Sequence, residues 1–228
     1  MIEKLHEDIR RGITYSDILV VAISPSQYRD QVDYLYGLLN KEEKDKCSRI
    51  IKISGREHYI IQRGLLKLLI GFYSKVEPMS IVIKKASNGK PFCESYEVWS
   101  FNISNSSDRI VYALSNQYEV GIDLEYTYKM RSFHEIMTLF FSEKEQRSVI
   151  HYGCIAKAFY KLWTGKEATL KADGLGLRGN IKALDVSTLL HYNQMEYIFK
   201  EESYQIRSFE LNGEYVGALA YKRSARGM

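Results

Sequence analysis

The sequence predicts an α+β fold in which two halves follow the same order of elements. Short apolar strands separated by turn residues occur in both halves, and each half also contains one long amphipathic helix. A hinge between Ser115 and Glu119 separates the halves, which predicts domains at 1–116 and 117–228. Because the order strand, helices, strands occurs twice without a residue-level repeat, we predict a pseudo-duplicated architecture.

In the first half, the apolar and partly β-branched segment 17–24 predicts a buried strand that a proline ends. Helical spacing of apolar residues predicts a helix over 30–39 and a longer one over 56–73, on either side of the highly charged segment 41–52. Turn residues then separate three short predicted strands, at 81–84, 98–103 and 110–114.

The second half is predicted to begin with a strand over 118–125. Two short helices and one long helix follow, predicted at 132–140, 143–151 and 154–172. Ser142 and Glu145 have the form of a capping box at the start of the second helix, and Gly174 is placed to end the third. Three strands complete this half, predicted at 195–199, 204–209 and 215–221.

The composition is that of a globular protein with a mild basic excess. The 228 residues include 32 basic and 28 acidic side chains, and the net charge of +4 fits a small polyanionic ligand without requiring a nucleic acid. No apolar segment approaches the roughly 20 residues that span a bilayer, and the charged N-terminus predicts no signal peptide. Three scattered cysteines predict reduced thiols, so we expect a cytoplasmic protein without a membrane partner.

Two carboxylates follow the strand pattern of the second half. In Gly121-Ile122-Asp123-Leu124-Glu125 the side chains alternate, so Asp123 and Glu125 lie on one face. Neighbouring carboxylates repel each other unless positive charge lies between them, and oxygen ligands favour Mg²⁺ or a similar hard cation. A solvent-facing acidic strand edge is the alternative interpretation of this pattern taken alone.

Three residues of the long second-half helix share one face, because Trp163, Glu167 and Lys171 follow each other at four-residue intervals. Taken alone, a glutamate one turn before a lysine is an ordinary surface pair. Gly165 lies inside the same helix, at a cost of about 1 kcal/mol relative to alanine. Such a glycine either permits the close approach of another group or is merely tolerated.

Two polar segments of the first half have groups that bind phosphate oxygens. The turn Asn88-Gly89-Lys90-Pro91 presents a lysine, and the extended segment Phe101-Asn102-Ile103-Ser104-Asn105-Ser106 presents hydroxyls and amides. Both patterns also occur in ordinary turns, so each remains ambiguous alone.

Taken in order, the segments G-K-P, F-N-I-S, G-I-D-L-E and W-T-G-K-E-A-T-L-K resemble those of the 4'-phosphopantetheinyl transferases. The resemblance is to the larger monomeric type, which serves peptide and polyketide synthases. The intervening F-F-S-E-K-E segment and the charged residues around 43–47 are also similar to their counterparts, so the resemblance extends over residues 38–180. It implies the α+β fold of that family, with an active site between the two halves.

The resemblance implies that the chain transfers the phosphopantetheine arm of coenzyme A to a serine of an acyl or peptidyl carrier protein, releasing 3',5'-ADP. The carboxylates that match the family's metal site are Asp123, Glu125 and Glu167, which would hold Mg²⁺, or Mn²⁺, against the pyrophosphate. Glu167 is also the candidate base for the carrier serine, directly or through a metal-bound water. Lys171 would stabilise charge on the pyrophosphate.

Four further residues are candidates for coenzyme A binding by resemblance. Lys90 matches the lysine of the family's G-K-P turn, and Ser104 matches the serine of its F-N-x-S segment, both phosphate contacts. Lys46 and Arg63 lie where basic residues approach the nucleotide, with His58 as the alternative to Arg63.

Asn105 departs from the family, which usually has a histidine at this position in contact with the 3'-phosphate. An asparagine side chain donates hydrogen bonds but has no positive charge. The sequence therefore predicts a weakened preference for coenzyme A over its 3'-dephospho form, or recognition of that phosphate by Arg63, Lys46 or Arg109.

The carrier protein is expected to dock on the segment 126–141, because Lys129, Met130, Arg131 and Phe133 would present a basic and apolar rim to an acidic carrier helix. Ordinary surface and core residues would give the same pattern. A monomer is expected by resemblance, since the chain contains both halves of the site.

Two other functions are compatible with parts of the sequence. A different metal-dependent phosphoryl-transfer enzyme would use the same carboxylates. A nucleic-acid-binding module is suggested by 18 tyrosines, but they are scattered and no basic stripe with interleaved aromatics accompanies them, so no nucleic-acid partner is expected.

Overall fold

Runs of helices and runs of antiparallel strands follow one another along the chain, which confirms the predicted α+β class. The computed structural model describes residues 2–15, 17–94, 100–128, 132–174, 181–199 and 201–223. The helices in these ranges are α1 (Ile2–Arg11), α2 (Val32–Gly37), α3 (Lys41–Ser48), α4 (Ile53–Ser74), α5 (Phe133–Phe140), α6 (Glu143–Ile150) and α7 (Ile155–Asp173). The strands are β1 (Ile13–Tyr15), β2 (Ile18–Ile23), β3 (Ile83–Lys85), β4 (Pro91–Cys93), β5 (Ser100–Ser106), β6 (Arg109–Ser115), β7 (Tyr118–Tyr126), β8 (Gln194–Phe199), β9 (Glu202–Leu211) and β10 (Tyr215–Arg223).

The predicted long helices and the central strands lie within a few residues of their observed positions, but the helix predicted over 30–39 is wrong in extent. Helix α2 covers only Val32–Gly37, because a 3₁₀ turn over Pro25–Gln31 precedes it and buries Tyr28. The strand predicted over 81–84 is displaced to β3, and residues 98 and 99 of the next predicted strand lie outside the described residues.

Helix α1 is an element that the sequence analysis does not predict. Its many charged residues obscure the apolar pair Leu5 and Ile9, which are four positions apart and pack against the core. The short strands β1 and β4 are also unpredicted, since three residues give too little pattern to recognise.

Two antiparallel sheets of four strands form the centre of the fold. The N-terminal sheet has the order β1-β2-β6-β5, and the C-terminal sheet has the order β7-β10-β9-β8. In the first sheet Val20 pairs with Ala113, and in the second Gly121 pairs with Ala220. Strands β3 and β4 form a separate two-stranded sheet.

The sheets pack face to face with helices outside them. Residues of both sheets form one apolar cluster, in which Val20 and Val111 meet Ile122 and Leu219. On the opposite face of the N-terminal sheet, apolar residues of β2 join those of α4, and on the opposite face of the C-terminal sheet those of β10 join α7. The alternation of β2, with Val20 on one side and Val21 on the other, follows from the two-residue period of a strand.

The sheets also meet edge to edge through side chains of β5. The polar residues Ser100, Asn102, Ser104 and Ser106, here called the side-chain ladder, occupy every second position of β5. Each accepts a hydrogen bond, at 2.9–3.2 Å, from a backbone N–H of β7 twenty residues further along the chain. Because these N–H groups would otherwise lie at a sheet edge, the ladder satisfies them and joins the two sheets.

Gly121 brings α7 against β7. A Cβ atom at this position would lie 2.1 Å from the carbonyl oxygen of Ala168 and 2.3 Å from the backbone nitrogen of Ala172. Any larger residue would therefore displace the helix from the strand. The close contact places the last turns of α7 beside the carboxylates of β7.

Cys47, Cys93 and Cys154 are all free thiols, as the sequence predicts. No helix in the described part of the chain combines the length and apolarity that a membrane crossing requires.

Candidate active site

Asp123 of β7 lies beside the C-terminal turns of α7 and is 6% exposed. Its Oδ1 accepts hydrogen bonds from Ser104 Oγ at 2.9 Å and from Lys171 Nζ at 2.6 Å. Its Oδ2 is buried and has no hydrogen-bond partner in the described residues. Asp123 therefore has one oxygen held by the protein and one oxygen available to a ligand.

Glu167 is one helical turn before Lys171 on the face of α7 that meets β7. Its burial raises its pKa to about 7; the carboxylates of Asp123 and, more weakly, Glu125 add to this effect, while the ammonium of Lys171 opposes it. Its Oε1 is buried without a hydrogen-bond partner among the described residues. The ammonium of Lys171 thus compensates only part of the negative charge of Asp123, Glu125 and Glu167.

Lys171 spans the contact between helix and strand. Besides binding Asp123, its Nζ donates to the carbonyl oxygen of Ile122 at 3.1 Å and lies 3.4 Å from Ser104 Oγ. Its side chain is 26% exposed, so solvent or a ligand can reach the ammonium. This arrangement suits a cation that interacts with a phosphate at the edge of the site.

The donor set fits a hard divalent cation. Two buried carboxylate oxygens, on Asp123 and Glu167, have no hydrogen-bond donor within the described ranges; such oxygens are costly to maintain, and a cation would compensate both. Glu125 lies close enough to influence the pKa of Glu167. Across the ranges that the structure describes, no three His, Cys, Asp or Glu side chains already form a complete metal-binding cluster.

Lys90 joins the predicted turn of the first half to the end of α7. Its Nζ binds Glu119 Oε2 at 2.7 Å and the carbonyl oxygen of Ala172 at 2.8 Å. Lys90 and Lys171 line the same cavity of about 310 Å³, together with Asn102. The structure thus brings together two of the lysines that the sequence assigns to phosphate binding.

Ser104 and Asn105, neighbours in the predicted phosphate-binding segment, have different surroundings. Ser104 faces β7 as part of the side-chain ladder and is buried. Asn105 is on the opposite side of β5, as strand alternation requires, and its Oδ1 accepts hydrogen bonds from Gln62 at 2.8 Å and from His58 at 3.0 Å. His58, the alternative to Arg63, therefore lies next to the position where the resemblance leads us to expect a histidine.

Lys46 and Arg63 lie together around the ring of Tyr59, with Nζ of Lys46 5.0 Å from the ring centroid. Arg63 also pairs with the buried carboxylate of Glu43, at 3.4 Å. Burial, assisted by Lys85 and Arg63, lowers the pKa of Lys46. These cations form a basic group on α3 and α4.

The other residues that the sequence analysis considers for phosphate or carrier binding have different contacts from those of Lys46 and Arg63. Arg109 pairs with Asp108 at 2.6 Å and lies over the ring of Tyr215. Phe133 packs against Phe159 with ring centroids 4.7 Å apart. Residues 129–131 of the predicted rim lie outside the described residues.

Gly165 permits a close approach within the chain itself. A Cβ atom there would lie 2.6 Å from Cδ1 of Leu189 and 3.6 Å from a methyl group of Val186. Because Gly165 has no side chain, the 3₁₀ turn over Ser187–Leu190 can pack against α7. The group that approaches the glycine is the core side chain of Leu189.

The sequence analysis does not assign a role to Lys166, although it belongs to the W-T-G-K-E segment. Lys166 is fully buried, and its Nζ binds Glu145 Oε2 and the carbonyl oxygen of Ile181, each at 2.9 Å, and also the carbonyl of Leu184. Glu145 is the capping-box residue of α6, so this ion pair joins α6 to α7. The capping-box pattern and the F-F-S-E-K-E resemblance are the signals in the sequence that point to Glu145.

Replacing Lys166 by methionine is expected to lower the free energy of unfolding by about 3–5 kcal/mol, because the carboxylate of Glu145 would remain buried without its cation. Urea unfolding monitored by circular dichroism measures this change. Lys161→Met is the matched control, since Lys161 is also buried on α7 but binds an amide, Asn193, and should cost about 1 kcal/mol. An unchanged stability for Lys166→Met would contradict a structural role.

Known protein families match the chain in two successive segments. A family model described as the 4'-phosphopantetheinyl transferase superfamily matches residues 119–220. A second, described as 4'-phosphopantetheinyl transferase, N-terminal, matches residues 24–117. The first segment contains the candidate carboxylates and Lys171, and the second contains Lys90 and Ser104.

Curated relatives are similar to the chain over most of its length. The 4'-phosphopantetheinyl transferase HetI of Nostoc sp. is 30% identical over 158 residues, which are 66% of this chain and 66% of HetI. The 4'-phosphopantetheinyl transferase gsp of Aneurinibacillus migulanus is 26% identical over 71% of this chain and 67% of its own length. The L-aminoadipate-semialdehyde dehydrogenase-phosphopantetheinyl transferase of Xenopus laevis is 25% identical over 70% of this chain and 57% of its own.

Proposed function

Because the chain belongs to the 4'-phosphopantetheinyl transferase superfamily, we propose that it transfers the phosphopantetheine arm of coenzyme A to a serine of a carrier protein and releases 3',5'-ADP. The observation that supports this most directly is the meeting of Asp123, Glu167 and Lys171 beside a cavity shared with Lys90. We assign it to the larger type that serves peptide and polyketide synthases, since the two family models match consecutive parts of one chain.

We further propose that 1–116 and 117–228 are pseudo-duplicated halves with the active site between them. Each half contributes one four-stranded sheet and one long helix, α4 or α7. The side-chain ladder and the contact of Lys90 with Ala172 join the halves around the candidate residues. In this arrangement the site needs both halves, which agrees with a monomer as the working form.

Mg²⁺, or Mn²⁺ in its place, would be held by Asp123, Glu125 and Glu167. When bound, it would neutralise charge on the pyrophosphate of coenzyme A. The fit rests on the two buried carboxylate oxygens that have no hydrogen-bond donor in the described residues.

Residues of the chain would assist both the attack of the serine oxygen on the phosphorus and the departure of the leaving phosphate. A bond forms between the carrier serine oxygen and the β-phosphorus, while the bond from that phosphorus to the bridging oxygen of 3',5'-ADP breaks. Glu167 would accept the serine proton. Lys171 would offset the negative charge that develops on the departing phosphate.

Coenzyme A would bind with its phosphates toward Lys90 and Lys171, in the cavity that these residues line. The basic group of Lys46 and Arg63 would approach the nucleotide end, and Asn105 with its partner His58 would be available to the 3'-phosphate. Ser104 is already engaged by Asp123 and Leu124, so a phosphate contact by its hydroxyl would have to replace its bond to Asp123.

The carrier would approach beside α5 and the end of β7. Tyr128 is 69% exposed and Leu139 is 65% exposed, and they offer apolar contacts there. Phe133, packed on Phe159, would support this surface from within rather than touch the carrier. The free thiols agree with a protein that works in the reducing cytoplasm.

Incubation with coenzyme A, Mg²⁺ and a panel of apo-carrier proteins, followed by mass measurement, tests the proposal. The transferase yields a carrier heavier by one phosphopantetheine arm. A different metal-dependent phosphoryl-transfer enzyme, the alternative with the same carboxylates, would consume or hydrolyse its phosphate substrate and leave the carrier mass unchanged.

Coenzyme A is expected to be used with at most about a tenfold advantage in kcat/KM over 3'-dephospho-coenzyme A. Asn105 has no charge, and its carbonyl oxygen is already bonded to His58 and Gln62. Steady-state assays with each donor measure the ratio, and Asn105→His should increase it. A large preference in the native chain that His58→Ala abolishes would instead assign the 3'-phosphate to His58.

A further inference from the structure

Each serine of the side-chain ladder accepts one hydrogen bond and donates another. Ser106 Oγ accepts from the N–H of Tyr126 at 2.9 Å and donates to Glu125 Oε2 at 3.2 Å. Ser104 does the same with Leu124 and Asp123. A hydroxyl has one proton to donate and two lone pairs to accept with, so one serine satisfies both partners.

The pattern repeats at Ser100, which accepts from the N–H of Val120 at 3.1 Å and donates to Glu119 Oε2 at 3.1 Å. The fourth member of the ladder is Asn102, and the residue of β7 at the corresponding place is Gly121, which has no side chain to hold. Along the ladder, serine therefore occurs wherever β7 presents a carboxylate.

Asp123 and Glu125 differ in burial and in side-chain length. Asp123 is short, buried and bound by Lys171 as well as Ser104. Glu125 has one more rotatable bond and is only partly buried, so its carboxylate has more conformations to lose when it binds a ligand. A hydrogen bond from a neutral hydroxyl restricts the carboxylate and leaves its full negative charge in place.

We propose that Ser106 is a positioning residue that orients Glu125 toward the divalent cation. This inference rests on the proposed metal site and adds to it a residue outside the ligand set. Residues that hold metal ligands by hydrogen bonds typically change metal affinity by roughly 10–100-fold when removed. Ser106 belongs to the N-terminal sheet and Glu125 to the C-terminal sheet. The position of Glu125 therefore depends on the packing of both sheets.

Ser106→Ala is expected to weaken Mn²⁺ binding by about tenfold, measured with Mn²⁺ alone by the electron paramagnetic resonance signal of the free ion. The Mg²⁺ concentration for half-maximal transfer should rise similarly, while kcat at saturating Mg²⁺ changes by less than about threefold. Ser106→Thr retains the hydroxyl and should restore both values.

Ser100→Ala is the matched control, because it removes the same two kinds of hydrogen bond from the same strand, but the carboxylate that loses its serine is Glu119, which Lys90 also binds, instead of Glu125. Both alanine variants should lower the urea midpoint to a similar extent, whereas only Ser106→Ala should alter Mn²⁺ binding. Equal weakening of Mn²⁺ binding in both variants, or none in either, overturns the assignment.

The experiments can reject the proposed transferase function independently of the positioning role of Ser106. A native chain whose Mn²⁺ affinity depends on Ser106 but which modifies no carrier would leave the positioning role standing and reject the transferase. A native chain that binds no Mn²⁺ and shows no dependence on Mg²⁺ would overturn the positioning role, whatever its activity.

Discussion

Asp123→Asn is expected to abolish phosphopantetheine transfer, lowering kcat/KM by about a thousandfold or more. The substitution preserves the shape of the side chain but removes the charge that faces Lys171 at 2.6 Å, and it replaces one carboxylate oxygen of a residue proposed to hold the cation. Because the uncharged amide is a weak ligand for a hard cation, no increase in Mg²⁺ within a practical range should restore the rate.

The matched control for this variant is Asp185→Asn, which neutralises an aspartate in a more exposed pair, with Lys144 at 2.7 Å. It should keep near-native activity, since surface ion pairs contribute about 0–1 kcal/mol. Both variants should retain the circular dichroism spectrum of the native chain. Full activity of folded Asp123→Asn would reject Asp123 as a metal ligand.

Glu167→Gln is expected to be inactive and yet more stable than the native chain at pH 8 without divalent cations. The folded pKa of about 7 exceeds the ordinary value of 4.5, so the folded state binds the proton more tightly than the unfolded chain does. Below pH 4.5 both states are protonated and the two proteins should be equally stable. As pH rises through 4.5 to 7, ionisation destabilises the native chain, by up to about 3 kcal/mol, while the glutamine variant is unaffected.

Urea unfolding at pH 4 and pH 8 with a chelator measures this difference. Adding Mg²⁺ at pH 8 should then stabilise the native chain and leave Glu167→Gln unchanged, because a ligand that binds only the folded state stabilises it. Glu145→Gln provides the contrast: this glutamate is more deeply buried than Glu167 but has Lys166 as its partner, so neutralising it should destabilise the protein at pH 8. A destabilised Glu167→Gln at pH 8 would contradict a raised pKa.

The sequence predicts how the candidate residues are placed within single elements. The alternation in Gly121–Glu125 places Asp123 and Glu125 on one face, and the helical spacing places Glu167 beside Lys171, as β7 and α7 confirm. By contrast, α1 escapes prediction because its packing depends on two apolar side chains among many charges, and a local pattern does not show which face finds a partner.

Three features of the site depend on residues that are distant in the chain. The side-chain ladder pairs β5 with β7, a relation that no local periodicity encodes. The burial of Lys166 depends on α6 and on the turn over Ile181–Ala183, although by spacing alone it resembles the other lysines of its helix. The contact between His58 and Asn105 requires α4 to lie against β5.

By itself, the sequence determined which chemical groups are present and which of them share a strand or a helix face, because side-chain direction within one element follows from backbone geometry. Only the tertiary structure decided which of those groups are buried, which oxygens of Asp123 and Glu167 lack a donor in the part of the chain that it describes, and which serines hold the carboxylates. These properties depend on the solvent excluded and the partners supplied by other elements, so they arise only when the two sheets and α7 pack together.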